Sequence, residues 1–158
     1  MTAPQTDVAS DTTPQSAGFP QTSGTFTAAV LAASDPVSQA TAAVIDAFNR
    51  AFFDRDPAAI APLVAEDCVI EAITPAPDGA LLLGKAAALA NWQGLVSETH
   101  SHFEQEEVLV AGDRALIRWR YVFGPRGADA LRGINVMRVR DGLIVEAMGY
   151  AKRPATTS

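Results

Sequence analysis

Three kinds of side chain in this sequence could support acid–base chemistry: an amide, two imidazoles and a carboxylate. Asn135 interrupts an apolar run, and an amide can donate a hydrogen bond to an oxyanion without a change in its own protonation. His100 and His102 are the only histidines, and imidazole is the commonest general acid or base. Glu71 is the one carboxylate inside an apolar strand-like run. We therefore predict Asn135, His102, Glu71 and His100 as candidate catalytic residues.

Each candidate also has a purely structural interpretation. A buried amide such as Asn135 needs a hydrogen-bond partner in any fold, and a backbone group could supply it. Histidines at a helix-to-strand junction are commonly solvated, which applies to His100 and His102. For Glu71, a salt bridge to an arginine of a neighbouring strand is the favoured alternative to a role in proton transfer.

A metal site has little support in the sequence. His100 and His102 would share one face of a strand with Glu104 and Glu106, which could form one edge of such a site. No third ligand motif accompanies them, and the single cysteine, Cys68, lacks the partners of a zinc cluster or a disulfide. We predict no metal, no other cofactor and a reducing cytoplasm as the location.

Length and charge limit the classes of partner. The 158 residues suffice for one domain with a substantial core. Eighteen acidic residues against twelve basic ones give a net charge of −6, so a phosphate backbone would find no general electrostatic attraction. No apolar run approaches the roughly 18 residues of a membrane-spanning helix. We therefore expect neither nucleic acid nor a membrane as a partner.

Three segments carry helix signals. In two of them an aspartate precedes a proline, the usual order of an N-cap and a first helical residue. Apolar residues recur at near-helical spacing in the segments that follow. The predicted helices cover about residues 36–54, 56–64 and 85–97.

From about His102 the pattern changes to the alternation typical of half-buried strands. Asp141-Gly142 separates the last two runs, and this dipeptide tolerates the positive φ of a tight hairpin turn. The predicted strands are Cys68–Thr74, His102–Val110, Arg114–Phe123, Leu131–Arg140 and Leu143–Ala151.

Together these elements predict one α+β domain over residues 37–152. Residues 1–24 are rich in Thr, Pro, Gln, Ser and Ala without periodicity, which predicts a disordered tail. Residues 25–36 are predicted as a linker, in which Phe26–Ala33 packs as a short helix or stays loose. Residues 153–158 are predicted to form a C-terminal tail.

The strand Arg114–Phe123 alternates aromatic and basic residues. We predict that its aromatic face points inward and that its arginines point to solvent or a partner. Core packing is the favoured role of the aromatic residues over contact with a ligand. The inward set is Ile117, Trp119, Tyr121 and Phe123, and the outward set includes Arg118 and Arg120.

Four motifs occur in an order that resembles one known family. They are FNRAFFDRDPAAIAPLVAEDCVIE, LLLGKAAAL, GDRALIRWRYVF and the closing hairpin V-x-R-V-R-D-G-x-I-x-E. This order is similar to the SnoaL-like branch of the NTF2-like superfamily, over about residues 37–152. The resemblance implies a cone-shaped α+β fold in which three N-terminal helices pack on a curved antiparallel or mixed sheet around an apolar pocket.

The resemblance also bears on the chemistry. Against the ketosteroid isomerases, Asn135 matches the aspartic acid that donates a hydrogen bond to the oxyanion. Their tyrosine falls near Phe48 and their proton-shuttling carboxylate near Ala72, so a steroid isomerase of that design is not expected. The positions of the Asp-Arg-Asp relay of the limonene epoxide hydrolases fall near Trp119, Tyr121 and Gly149, so that relay is also absent.

A third branch, the scytalone dehydratases, shares only residue types with this chain. Those enzymes combine two histidines with tyrosines and an asparagine, as His100, His102, Tyr121 and Asn135 do in composition. The resemblance implies pocket walls for a small apolar ligand from Phe48, Phe52, Trp92, Trp119, Tyr121, Met137 and Gly149.

The last strand predicts a second surface. If its small residues Ala147, Gly149 and Ala151 face the pocket, Met148 and Tyr150 lie on the outer sheet face. Relatives dimerise through that face, so the resemblance implies a homodimer.

The leading hypothesis is a pocket protein that performs cofactor-independent isomerisation, cyclisation or dehydration of a small polyketide-, terpenoid- or steroid-like molecule. In it, Asn135 orients a carbonyl oxygen and His102 or Glu71 moves the proton. The alternative is a non-catalytic binding or accessory dimer with the same fold. A third hypothesis gives residues 1–24 a role as a flexible interaction arm.

Overall fold

The structure is a computed structural model that describes residues 30–32 and 34–152. The predicted tails at residues 1–24 and 153–158 lie outside the described residues. In the described part of the chain, no helix is both long and apolar enough to cross a membrane.

The described elements are two α-helices, two 3-10 helices and one mixed sheet. The helices are α1 (Pro36–Phe53) and α2 (Lys85–Ser97), with 3-10 helices at Pro57–Leu63 and Pro125–Gly127. The strands are β1 (Val30–Ala32), β2 (Val64–Glu71), β3 (Leu81–Leu83), β4 (His102–Ala111), β5 (Arg114–Phe123), β6 (Asp129–Arg140) and β7 (Leu143–Lys152). The α+β class is therefore confirmed.

The prediction of three N-terminal helices is corrected in two ways. The middle segment, Pro57–Leu63, is a 3-10 helix with Pro62 inside it. A proline there removes a backbone donor and crowds the preceding turn, which disfavours a longer α-helix. The strands β2 and β3 then intervene before α2. Among the described residues, α1 and this short 3-10 helix are thus the helices that precede β2, and α2 follows β3.

Seven strands form one sheet in the order β1-β4-β5-β6-β7-β2-β3. The pairs β1–β4 and β2–β7 are parallel, and the other neighbours are antiparallel. Val30–Ala32, which the sequence suggested as part of a short helix or a loose segment, is a strand whose Val30 pairs with Val108. The free edge of β4 explains this difference, because unpaired backbone groups there accept another strand.

The helix α1 begins at the predicted Asp-Pro signal. The carboxylate of Asp35 accepts hydrogen bonds from the Ser38 backbone N–H at 2.9 Å and from the Ser38 hydroxyl at 2.6 Å. The bond from the Ser38 side chain is the main reason that the pKa of Asp35 lies below its ordinary value. The Ser38 hydroxyl oxygen also accepts from the Gly112 backbone N–H at 2.8 Å, which joins the start of α1 to the β4–β5 turn.

The closing hairpin forms as predicted. Asp141 and Gly142 have φ values of 52° and 76°, the left-handed conformation that a two-residue turn requires. Arg140 pairs with Leu143 directly beside this turn. The register that follows places Asn135 opposite Gly149, on the sheet face covered by the helices.

Candidate functional site

A cavity of about 500 Å³ lies between the helices and the inner face of the sheet. Its walls come from α1, α2, the end of β2 and strands β4 to β7. The exposed lining residues mark its opening: Phe53 is 85% exposed and Leu95 is 37% exposed. Asp46 and Arg50, an ion pair at 2.8 Å on α1, border the same opening. The dimensions suit a small organic ligand.

Aromatic rings form one continuous wall of this cavity. The Phe48 ring contacts Phe52 at a centroid distance of 5.0 Å and Trp92 at 4.9 Å. Phe103 continues the series, at 5.5 Å from Phe52 and 5.4 Å from Trp119. Edge-to-face contacts of this kind hold the rings in fixed orientations, so this wall presents a rigid apolar surface.

Asn135 lines the cavity from the centre of β6. Within the described part of the chain, its side-chain amide makes no hydrogen bond. The facing residue on β7 is Gly149, where a Cβ would lie 3.5 Å from Oδ1 of Asn135 and 2.8 Å from Cγ2 of Ile73. Because Gly149 has no side chain, the Asn135 amide is open to the cavity.

Glu71 ends β2 and borders the same cavity. It is half-buried, and among the described residues it forms no salt bridge, unlike the favoured alternative from the sequence. Glu71 pairs with Met148 of β7, whose neighbour Gly149 pairs with Asn135. Paired residues point to one face of a sheet and consecutive residues to opposite faces, so the Glu71 side chain shares the outer face with Met148, whereas Asn135 and Gly149 face the cavity. The expectation that Glu71 faces inward is therefore corrected: it borders the cavity from the end of β2, with its side chain on the other face.

The two histidines do not reach the cavity, which corrects the expectation that one of them would act there. The imidazole of His102 is 53% exposed, 3.4 Å from Glu104, and that of His100 is 91% exposed, 3.2 Å from Glu98. Phe103 takes the inward position on β4, and strand alternation turns His102 to the other face. In the described part of the chain, no group of three potential metal ligands includes them.

Most residues expected to line a pocket do so, with one exception. Phe48, Phe52, Trp92, Trp119, Tyr121 and Gly149 border the cavity. Met137 does not: it is fully buried in the core, one inward position beyond Asn135 on β6. The cavity ends before that layer because the core side chains close over it.

Tyr121 lines the cavity with its ring, but its hydroxyl is already engaged. It donates a 2.8 Å hydrogen bond to Oγ of Ser101, which is 6% exposed. The Ser101 carbonyl in turn accepts a 2.7 Å bond from the Arg55 guanidinium. This network ties the end of α1 and the α2–β4 connection to β5, which indicates a structural role for the hydroxyl.

Three amides in the cavity wall were not predicted from the sequence: Asn49, Asn91 and Gln105. Asn49 and Asn91 lie on the helices beside the aromatic residues Phe48 and Trp92. Gln105 lies in an acidic run whose neighbours point outward, and only the strand register shows that it pairs with Trp119. Helical periodicity could have placed the two asparagines near the cavity, but no sequence signal fixed the face of Gln105.

The opposite face of the sheet carries the arginines. Arg118 pairs with Glu106 and Glu107 at 3.3 and 3.0 Å, and Arg120 pairs with Glu104 at 3.2 Å. The predicted inward direction of the aromatic residues on β5 is therefore the one observed. Glu106 and Glu107 both contact Arg118 because β4 has an irregular register between Gln105 and Glu107.

Comparisons with known proteins agree with this architecture. The model of the SnoaL-like domain matches residues 45–147. An NTF2-like protein of unknown function from Mesorhizobium loti is 46% identical, with 79% of this chain and 100% of that chain covered and a TM-score of 0.73. No curated protein matches the chain.

Two more distant structures share the fold. A steroid delta-isomerase from Pseudomonas aeruginosa is 18% identical, with 76% of this chain and 85% of that chain covered and a TM-score of 0.62. RV0760c from Mycobacterium tuberculosis, solved in complex with estradiol-17beta-hemisuccinate, is 24% identical, with 70% of this chain and 92% of that chain covered and a TM-score of 0.58. At these identities the likeness extends to the fold alone.

Proposed function

The chain belongs to the SnoaL-like family of the NTF2-like superfamily, and we propose that it catalyses cofactor-independent proton transfer on a small, largely apolar ketone. The substrate class is polyketide-, terpenoid- or steroid-like, and the reaction is an isomerisation, cyclisation or dehydration. One observation carries the proposal: the unpartnered amide of Asn135 opens into an aromatic-walled cavity opposite Gly149.

In the proposed mechanism, the Asn135 amide donates a hydrogen bond to the ketone oxygen and stabilises the negative charge that develops as the enolate forms. A carboxylate at the border of the cavity, Glu71 or Asp46, accepts the proton from the carbon next to the carbonyl and returns it at another position. Asp46 lies at the opening, whereas Glu71 stands at the end of β2 and would act only with its side chain turned toward the cavity.

Solvent deuterium exchange tests this mechanism with simple ketones in place of the natural substrate. In D₂O, proton abstraction beside a carbonyl appears by NMR as deuterium incorporation into trans-1-decalone, trans-decalin-1,5-dione or a steroid ketone. We expect the variant that removes the base, Glu71→Gln or Asp46→Asn, to lower the exchange rate about 10²- to 10⁴-fold. Asn135→Leu should lower it about 10²- to 10³-fold.

The matched control is Glu104→Gln, which makes the same substitution on the exposed sheet face, where Glu104 pairs with Arg120. Exchange that survives in Glu71→Gln at the wild-type rate would exclude Glu71 as the base. Exchange that falls equally in Glu104→Gln would point to a global effect of the lost charge.

A non-catalytic binding or accessory role is the second candidate. It is favoured by the polar groups of the cavity, since Asn49, Asn91, Gln105 and Asn135 do not titrate and the Tyr121 hydroxyl is engaged. A ligand at about a hundred times its Kd should add about 2.7 kcal/mol to the free energy of unfolding. A thermal shift that depends on Asn135, without any deuterium exchange, would favour this role.

A homodimer through the outer sheet face is also proposed. Leu116, Val136 and Met148 are paired across β5, β6 and β7 on that face, and Tyr150 beside them is 52% exposed. A connected apolar row of this kind commonly marks a contact between subunits. Sedimentation should give a dimer for the native chain and a monomer for Val136→Lys. A reducing cytoplasm is kept as the proposed location and would be tested by cell fractionation.

A further inference from the structure

One polar atom in the cavity wall has no partner. Among the buried side-chain nitrogen and oxygen atoms of the described residues, only Nε1 of Trp119 lacks a hydrogen bond. Trp119 is 6% exposed and lines the cavity from the inner face of β5. A buried donor without a partner destabilises the folded protein, so such a group commonly has a role that retains it.

The position of this indole is fixed by two neighbours. Gly133 faces Trp119 on β6, and a Cβ there would lie 2.4 Å from both Cζ2 and Cη2 of the indole. The absence of a side chain at Gly133 thus allows the ring to lie against β6. Phe103 packs edge-to-face against it at 5.4 Å on the other side. These two contacts define where the ring lies in the free protein.

Trp119 and Asn135 are diagonal neighbours on the inner sheet face. Asn135 lies two residues beyond Gly133, the direct partner of Trp119. Diagonal neighbours of this kind have Cα atoms about 7–8 Å apart. Both residues line one cavity, so a small fused-ring molecule beside Asn135 would also lie against the Trp119 ring. The indole nitrogen itself is buried in the wall, so its N–H would meet a ligand oxygen after a small shift of the ring.

We infer that the Trp119 indole N–H is a second hydrogen-bond donor to the ligand, and that the preferred ligands carry two oxygen acceptors rather than one. This inference rests on the proposed function, since it concerns the same cavity and the same ligand. The oxygen near Asn135 is the one whose carbonyl reacts. The second oxygen, a ketone, ether or hydroxyl, accepts from Trp119 and fixes the orientation of the ring system.

Gln105 supplies the competing explanation. It is the direct partner of Trp119 on β4 and also lines the cavity, so its amide oxygen could turn to accept from Nε1. In that case the N–H would be occupied in the free protein and would not select a ligand. Gln105→Leu distinguishes the two cases, because it removes this acceptor and leaves the indole in place.

The indole N–H can be observed directly. The chain has two tryptophans, so a ¹⁵N–¹H spectrum shows two indole signals, which Trp92→Phe assigns. We expect trans-decalin-1,5-dione to move the Trp119 signal downfield. The monoketone trans-1-decalone should move it less, because one carbonyl cannot reach both donors. In the free protein, Gln105→Leu should leave the Trp119 signal where it is.

Affinity gives an independent readout. The dione should bind roughly three- to tenfold more tightly than the monoketone, the factor expected for one added neutral hydrogen bond. Trp119→Phe keeps an aromatic ring but lacks the donor, so this ratio should fall to about one. Trp92→Phe is the matched control, since it removes the other indole of the cavity and should retain the ratio even if both affinities drop.

The outcomes separate this inference from the proposed function. If the dione binds with dependence on Asn135 but the Trp119 signal does not move, the inference is wrong and the proposed function stands. A Trp119 signal that is downfield in the free protein and shifts in Gln105→Leu would likewise overturn it. If neither ketone moves either indole signal, the proposed ligand class and this inference fall together.

Discussion

The hydrogen bond between Tyr121 and Ser101 offers a quantitative test of the division between structure and chemistry in this cavity. The structure assigns the Tyr121 hydroxyl to fold stability, because it donates to Oγ of a 6%-exposed serine at 2.8 Å. A neutral hydrogen bond of this kind stabilises a protein by about 1 kcal/mol, and a buried group left without its partner costs about 1–3 kcal/mol. We therefore expect Tyr121→Phe to lower the free energy of unfolding by about 1–2 kcal/mol.

Ser101→Ala should have a similar cost, and the double variant should cost less than the sum of the two, with a coupling energy of about 1 kcal/mol. Urea unfolding followed by circular dichroism measures this cycle. With a slope of about 1–3 kcal/mol/M, each single variant should lower the midpoint by roughly 0.3–2 M. Strictly additive losses would refute the assignment, and Tyr121 would then become a candidate acid for ligand chemistry.

Three further predictions concern the fold. Burial raises the pKa of the Cys68 thiol to about 11, so Cys68 should resist thiol reagents in the native state. Because the thiol of the unfolded chain ionises at a lower pH, the free energy of unfolding should fall as the pH rises from about 9 through 11. Urea midpoints across that range, with Cys68→Ala as the control, check the slope. Gly133→Ala should lower the free energy of unfolding by about 1–3 kcal/mol or more, since the added methyl overlaps the Trp119 ring, and fluorescence should report the displaced indole. Ser38→Ala should cost about 1–3 kcal/mol because it removes the acceptor of the Gly112 N–H, and a thermal melt would show an unchanged Tm if that bond contributed nothing.

Local signals in the sequence predicted much of the fold. The helix Lys85–Ser97 and the strand Arg114–Phe123 have the predicted bounds, and the Asp141-Gly142 turn forms the predicted hairpin. The strand alternates clearly and the hairpin has turn chemistry of its own, whereas the helix segment is rich in the strong helix formers Ala and Leu. The strand predicted at Cys68–Thr74 instead runs over Val64–Glu71, because it pairs with β7 from Val64 onward, a tertiary contact that its own residues do not encode.

The candidate site was less predictable because it depends on register. Asn135 was a candidate from its residue type and from the family resemblance, and its pairing with Gly149 places it in the cavity. Glu71 was a candidate from residue type alone, and its pairing with Met148 turns its side chain to the other face. His102 was misplaced because a strand of unknown register can turn either face inward, and a one-residue difference exchanges the two faces. Gln105 was missed for the same reason, since its acidic neighbours suggested a solvated strand face.

The arrangement of the cavity separates recognition from proton transfer. Asn135, Trp119 and Gln105 are neutral donors or acceptors that keep their hydrogen-bonding capacity at any physiological pH. Two carboxylates border the cavity: Asp46 forms an exposed ion pair with Arg50 at the opening, and Glu71 lies at the end of β2 with its side chain on the face of Met148. Under the proposed function, substitutions at the neutral positions would change which ligand is accepted, whereas a carboxylate that reaches the ligand would decide whether the bound ligand reacts. A family that keeps this cavity while varying one acidic position could therefore contain both enzymes and binding proteins on the same fold.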